Sequence, residues 1–180
     1  MNSSLLPPAQ WAQREFAFAQ LGDRRRNKRL VNIAQKLGAN PDGTLPQAFP
    51  DWAELKAAYR FFSSGVTFDA IIQPHLERTL GRCREPGEYL IIEDTTLLDY
   101  SRHPGTEDLG TIGDGKGRGF ELHSALAARV ESWTLEQRPE GTLVGLLGQR
   151  CGSPRPAPVG GVARRTIEST PQIAALGRSL

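Results

Sequence analysis

Tyr89-Leu90-Ile91-Ile92-Glu93-Asp94-Thr95-Thr96 is the stretch that decides the fold. Four bulky apolar residues in a row, two of them β-branched, suit a strand buried on both faces. Before Pro86-Gly87 the apolar residues keep a helical period, and after it they do not. The chain is therefore expected to be α+β, a helical bundle followed by a sheet. A carboxylate closing a buried strand is costly unless something pairs with it. On the residues alone Asp94 has two readings: a metal ligand, or a strand-end acid capping a turn with Thr95 and Thr96. Alternation turns Glu93 to the other face, and Asp99 is expected in the following turn.

Toward the N-terminus, residues 9–21 read as a helix closed by Gly22. Asp23 stands where an N-cap belongs, so the next helix is expected over about 24–37. Leu30, Ile33, Ala34 and Leu37 make one apolar stripe. Arg25, Lys28, Arg29, Asn32 and Lys36 gather on the opposite side, and Arg26 falls nearer the apolar edge. Residues 39–50, with Pro41, Gly43, Pro46 and Pro50, are expected to be a loop. Asp51 and Glu54 form a capping pair for a helix over about 52–63. Its buried face is expected to be Leu55, Ala58, Tyr59 and Phe62, with Lys56 and Arg60 on other faces. A fourth helix begins near Thr67, and Pro74 should kink or split it.

Toward the C-terminus, residues 101–119 are rich in glycine and charge and are expected to be loop. Residues 120–130 alternate as a second strand, with Leu122, Ser124, Leu126 and Ala128 on one side. Residues 143–149 read as a third, joined to the second by a turn around Pro139-Glu140-Gly141. A short link implies antiparallel pairing. From Cys151 onward the chain is Pro/Gly/Arg-rich without a period and is expected to be flexible.

The 180 residues are 38% hydrophobic and 23% charged, which excludes a disordered chain. The net charge of +2 is small but unevenly spread. Between Met1 and Asn40, seven cations (Arg14, Arg24, Arg25, Arg26, Lys28, Arg29, Lys36) face two acids (Glu15, Asp23). Such a bias fits a polyanionic partner, or simply a solvated helix face. Cys83 and Cys151 lie far apart and form no metal knuckle or disulfide framework. No apolar run reaches the roughly 18 residues of a membrane span, and the opening lacks the pattern of a signal peptide. A cytoplasmic protein with no membrane partner is expected.

Gly110-Thr111-Ile112-Gly113-Asp114-Gly115-Lys116-Gly117 imitates a phosphate loop, but Gly117 stands where Ser or Thr would bind magnesium. A mobile loop offering Lys116 and Arg118 to a phosphate backbone is the better reading. His123 sits between Leu122 and Ser124 in a strand and reads as structural. His75 has no evident partner, and no nucleophile–base arrangement is legible.

A wider set of motifs occurs in order between about residues 10 and 150. It comprises Trp11-Ala12 with Phe16, Leu21-Gly22-Asp23-Arg24-Arg25-Arg26, Arg29-Leu30-Val31 and Lys56-Ala57-Ala58-Tyr59-Arg60-Phe61. It continues with Glu93-Asp94-Thr95-Thr96, Gly117-Arg118-Gly119 with His123-Ser124, and Val144-Gly145-Leu146-Leu147. Each is weak alone, but together they resemble the N-terminal portion of transposases of the transposon-five type, the insertion-sequence-four class. The resemblance implies a helical domain that binds transposon-end DNA and a catalytic RNase H-like fold with an Asp-Asp-Glu triad. It makes Asp94 the first catalytic acid and metal ligand. It places Arg25, Arg26, Arg29 and Arg60 where the family contacts DNA, and the basic face of the second helix adds Lys28. Phosphodiester chemistry of this kind uses two divalent ions, Mg2+ or Mn2+.

The implied organisation is a helical DNA-binding domain over 1–66, the start of an RNase H-like domain over 67–150 with about three antiparallel strands, and an aberrant or flexible tail over 151–180. The family's second Asp and its Glu have no counterpart here, and Glu168 is in no comparable context. The expectation is thus a truncated cut-and-paste transposase that binds transposon-end duplex DNA and is inactive alone, holding no metal tightly. Two alternatives stay open. One is a metal-dependent nuclease completed by another chain. The other is a regulator that inhibits a full-length transposase. The expected partners are duplex DNA and a full-length relative or a second copy, at the bacterial nucleoid.

Overall fold

The computed structural model describes residues 6–134 and 137–154. Five helices precede four strands, so the class is the expected α+β. The helices are α1 (Pro8–Phe16), α2 (Arg24–Ala39), α3 (Leu45–Ala48), α4 (Trp52–Phe62) and α5 (Phe68–Arg82). The strands are β1 (Tyr89–Asp99), β2 (Gly110–Ile112), β3 (Gly117–Thr134) and β4 (Gln137–Gly152). The chain divides into two compact units between Arg78 and Thr79, inside α5. The tail expected over 151–180 lies outside the described residues from 155 onward. No helix among the described residues is long and apolar enough to cross a membrane.

In the helical unit, α2 forms as expected. The Asp23 carboxylate accepts from the Arg25 amide at 2.7 Å, and Leu30, Ile33 and Ala34 are buried. α1 is shorter than its periodicity suggested. Beyond Phe16, the Asn27 side chain donates to the Ala19 carbonyl at 2.5 Å and accepts from the Leu21 amide at 3.3 Å. Those contacts hold 17–22 as a bend that delivers Ala19 and Leu21 to the core. The expected loop contains α3, where the Gln47 side chain accepts from the Thr44 amide at 2.7 Å. α5 stays one helix with Pro74 in its interior.

The inward face of α4 differs from the expected one. Leu55, Ala58 and Phe61 are buried, while Tyr59 and Phe62 are about half exposed. Aligning 55, 58 and 61 on the core that Phe49, Leu30 and Ile33 provide turns Tyr59 outward. His75 does have a partner. Its Nδ1 lies 3.0 Å from Glu15, whose carboxylate is almost fully buried and also takes Arg14 Nε at 3.1 Å. A carboxylate this far from water needs such partners to stay charged.

In the sheet unit every pairing is antiparallel and β3 is central. β1 runs along one edge of β3, and β2 and β4 follow one another along the opposite edge. β1 is longer than expected and holds Asp99 as its last residue, because it pairs with β3 along its whole length, from Tyr89 opposite Arg129 to Asp99 opposite Gly119. Nor is it buried on both faces: Leu90 and Ile92 are about half exposed while Ile91 packs inward with Tyr89 against Cys83, Ala127 and Leu147. Burial raises the Cys83 thiol pKa, an effect the Arg82 charge partly opposes. Pro139-Glu140-Gly141 lie within β4 rather than in a turn. Pro139 is tolerated because, among the described residues, β4 pairs only with β3 and needs no donor on its other edge.

The glycine-rich stretch is partly ordered into a hairpin. Gly113 and Gly115, at φ +62° and +92°, turn the chain from β2 into β3. Asp114 accepts from the Lys116 amide at 3.2 Å and pairs with its ammonium at 3.4 Å. That turn is no phosphate cradle.

Candidate nucleic-acid interface

α2 begins with Arg24, Arg25, Arg26, Asn27, Lys28 and Arg29. The only acid at this end, Asp23, caps the helix. Arg24, Arg25, Arg26 and Lys28 are exposed and Arg29 is half-buried. None of the five side chains forms an ion pair or hydrogen bond with a described residue. Arg24, Arg25, Lys28 and Arg29 span about 140° of the helix circumference. Arg26 points nearer the apolar stripe, yet it is exposed because it stands in the first turn, before the core begins at Leu30.

Lys36, expected on the same basic face, is excluded from it. Its ammonium meets Glu54 at 2.6 Å and lies 5.2 Å from the centre of the Phe49 ring, joining the end of α2 to the start of α4. Arg60 is exposed in the last turn of α4 and pairs with no described residue. The unit thus brings five cations together at one helix end and adds a sixth on α4. The core they rest on is shared, since Leu30 and Ile33 pack with Leu55, Ala58 and Phe61. Among the described residues this arrangement has no charge partner, and it suits oxygen anions repeated along a backbone.

In the sheet unit Asp94 is mid-strand, opposite Ser124, which in turn lies opposite Gln149. It is exposed and makes no hydrogen bond or ion pair with a described residue. Both initial arguments about it therefore change. There is no buried-strand penalty to offset, and it caps no turn with Thr95 and Thr96. Gln149 donates to Ser124 at 2.9 Å on the same face. On the opposite face Thr95 Oγ1 and His123 Nδ1 are hydrogen-bonded at 2.9 Å, and His123 Nε2 lies 3.8 Å from Glu93. His123 is thus the structural residue expected, fastening β1 to β3.

Among the described residues no three His, Cys, Asp or Glu side chains stand close enough to hold a metal ion. Asp94 with its neutral neighbours does not fit a two-ion centre, so no step through Mg2+ or Mn2+ is derived from these residues.

Sequence reading missed three exposed aromatics on α4, Trp52, Tyr59 and Phe62. Trp52 opens the helix and Tyr59 and Phe62 were assigned inward, so the helical period alone gave no signal for any of them.

Residues 8–65 match the family model described as transposase DNA-binding. The match spans α1 to α4 and includes every cation named above, and it stops before α5 and the sheet.

Proposed function

We propose that this chain binds the duplex DNA of transposon ends through its helical unit, as the N-terminal portion of a cut-and-paste transposase. One observation carries this reading: the unpaired cations opening α2 lie within the region similar to transposase DNA-binding domains. Arg25, Lys28, Arg29 and Arg60 are the phosphate contacts, with Arg26 beside them. They fix position and orientation on the duplex and supply no sequence code. Asp94 takes the place of the first acid of an RNase H-like site. The antiparallel order of β1, β3 and β4 and the free, exposed carboxylate support that assignment. Cleavage is not assigned to the described residues, because Asp94 has no acidic partner among them.

The test is binding of the full chain to a labelled duplex, followed by anisotropy. Wild type should bind, and the triple variant Arg25→Ala/Lys28→Ala/Arg29→Ala should lose three ionic contacts, flattening the log–log salt slope by about 2.7. Unchanged binding by the triple variant defeats the assignment. Incubation with Mg2+ or Mn2+ should leave the duplex intact.

A further inference from the structure

α4 presents a face that its own bundle does not use. Trp52, Lys56, Tyr59 and Ser63 follow one another at i, i+4, i+7 and i+11, with Arg60 beside them, so they form one stripe. Trp52 is 71% exposed and Tyr59 49%, and Lys56 and Arg60 are exposed as well. The opposite side, Leu55, Ala58 and Phe61, is the one buried in the core. The stripe carries two aromatics, two cations and no acid. Glu54, the nearest carboxylate on the helix, points away and is tied to Lys36. Trp52 and Tyr59 together give the stripe an exposed apolar patch, which marks an interaction site where a single exposed ring would not.

We infer that this stripe is a second contact with duplex DNA, in which Trp52 and Tyr59 touch sugars and base edges while Lys56 joins Arg60 on phosphates. The inference rests on the DNA-binding reading above and deepens it. Charge selects the partner: interleaved cations without acids complement a polyanion, not an acidic–basic mosaic. Dimensions agree. Trp52 and Tyr59 are seven residues apart, roughly 10 Å along a helix, about three steps of 3.4 Å along one DNA strand. A major groove admits an α-helix, and its thymine methyls offer apolar contact. Rings on the groove wall give an attraction that salt does not screen, unlike the contacts of α2.

The test uses the full chain and a fluorescein-labelled duplex of mixed sequence, over a salt series. Trp52→Ala and Tyr59→Ala should each weaken binding about tenfold while leaving the salt slope unchanged. Lys56→Ala should flatten the slope by about 0.9. The part of the emission lost in Trp52→Phe should be quenched when duplex is added to wild type, a readout that needs no destabilising substitution. If wild type binds duplex but both alanine variants bind equally well and Trp52 is not quenched, the inference is wrong and the α2 reading stands. If wild type binds no duplex, the underlying reading fails instead. Trp, Tyr and Arg are also common protein-interface anchors. A change in sedimentation of the variants with unaltered DNA affinity would assign the stripe to a protein partner and overturn the inference.

Discussion

A cation can hold a phosphate only if no carboxylate of its own protein holds it first. Lys36 and Arg25 lie on the same helix and differ in this respect. Lys36 is bound to Glu54, so Lys36→Ala should leave the salt dependence of DNA binding unchanged and cost about 0.2–1 kcal/mol of stability, measured by urea unfolding. Asp94 is exposed and unpaired, so Asp94→Asn should shift neither duplex affinity nor stability beyond about 0.5 kcal/mol; a large loss of affinity would show that it faces DNA directly. The cysteines should separate by reactivity. Cys151 is exposed, whereas Cys83 is buried with its thiol pKa raised, so a thiol reagent at mildly alkaline pH should label Cys151 first and Cys83 only on unfolding. Asp99 behaves oppositely. The Ser101 hydroxyl, and then its amide, hold the Asp99 carboxyl below the usual 3.8. A depressed folded pKa contributes stability above that value and loses it as pH falls through the lower one. The midpoint of the Ser101 amide titration should therefore lie below pH 3.8.

Helices were legible in the sequence where a cap and a stripe agreed, and less so where a side chain from elsewhere intervened. Asp23 and Asp51 both cap as read, Asp51 accepting from the Glu54 amide at 2.9 Å. Asp51→Ala should cost about 1 kcal/mol in thermal or urea unfolding, and Asp51→Ser much less. The end of α1 was not legible because Asn27, eight residues beyond Ala19, decides it. The inward face of α4 was ambiguous by one helical step, since 55, 58, 59, 61 and 62 are all apolar or aromatic and only the packing partner selects 61 over 59. In the sheet, β1, β3 and β4 were legible as strands, but the short β2 and the lengths of β1 and β4 were not, because pairing with β3 rather than their own composition sets them. Gly119 shows that dependence. A Cβ there would run into the Leu98 carbonyl oxygen on the paired strand. Gly119→Ala should thus destabilise the sheet unit by more than 1 kcal/mol, read as a lowered urea midpoint.

Across the molecule the charge is nearly balanced, and function lies in where that charge is left unpaired. The sequence showed the basic bias of the first forty residues, but it could not tell a cation bound to a neighbour from a free one. The structure removes Lys36 from the set, leaves Arg24, Arg25, Arg26, Lys28 and Arg60 exposed and Arg29 half-buried, and pairs none of these six with a described residue. Asp94 stands in the other compact unit, and the proposed DNA contacts do not draw on it. The most direct measurement is the affinity of the full chain for a duplex across a salt series. The four phosphate contacts of the proposed function predict a log–log slope near −3.6, and a fifth at Lys56 steepens it to about −4.5. A slope flatter than about −1, or affinity indifferent to salt, would contradict the claim that these arginines and Lys28 hold the DNA backbone.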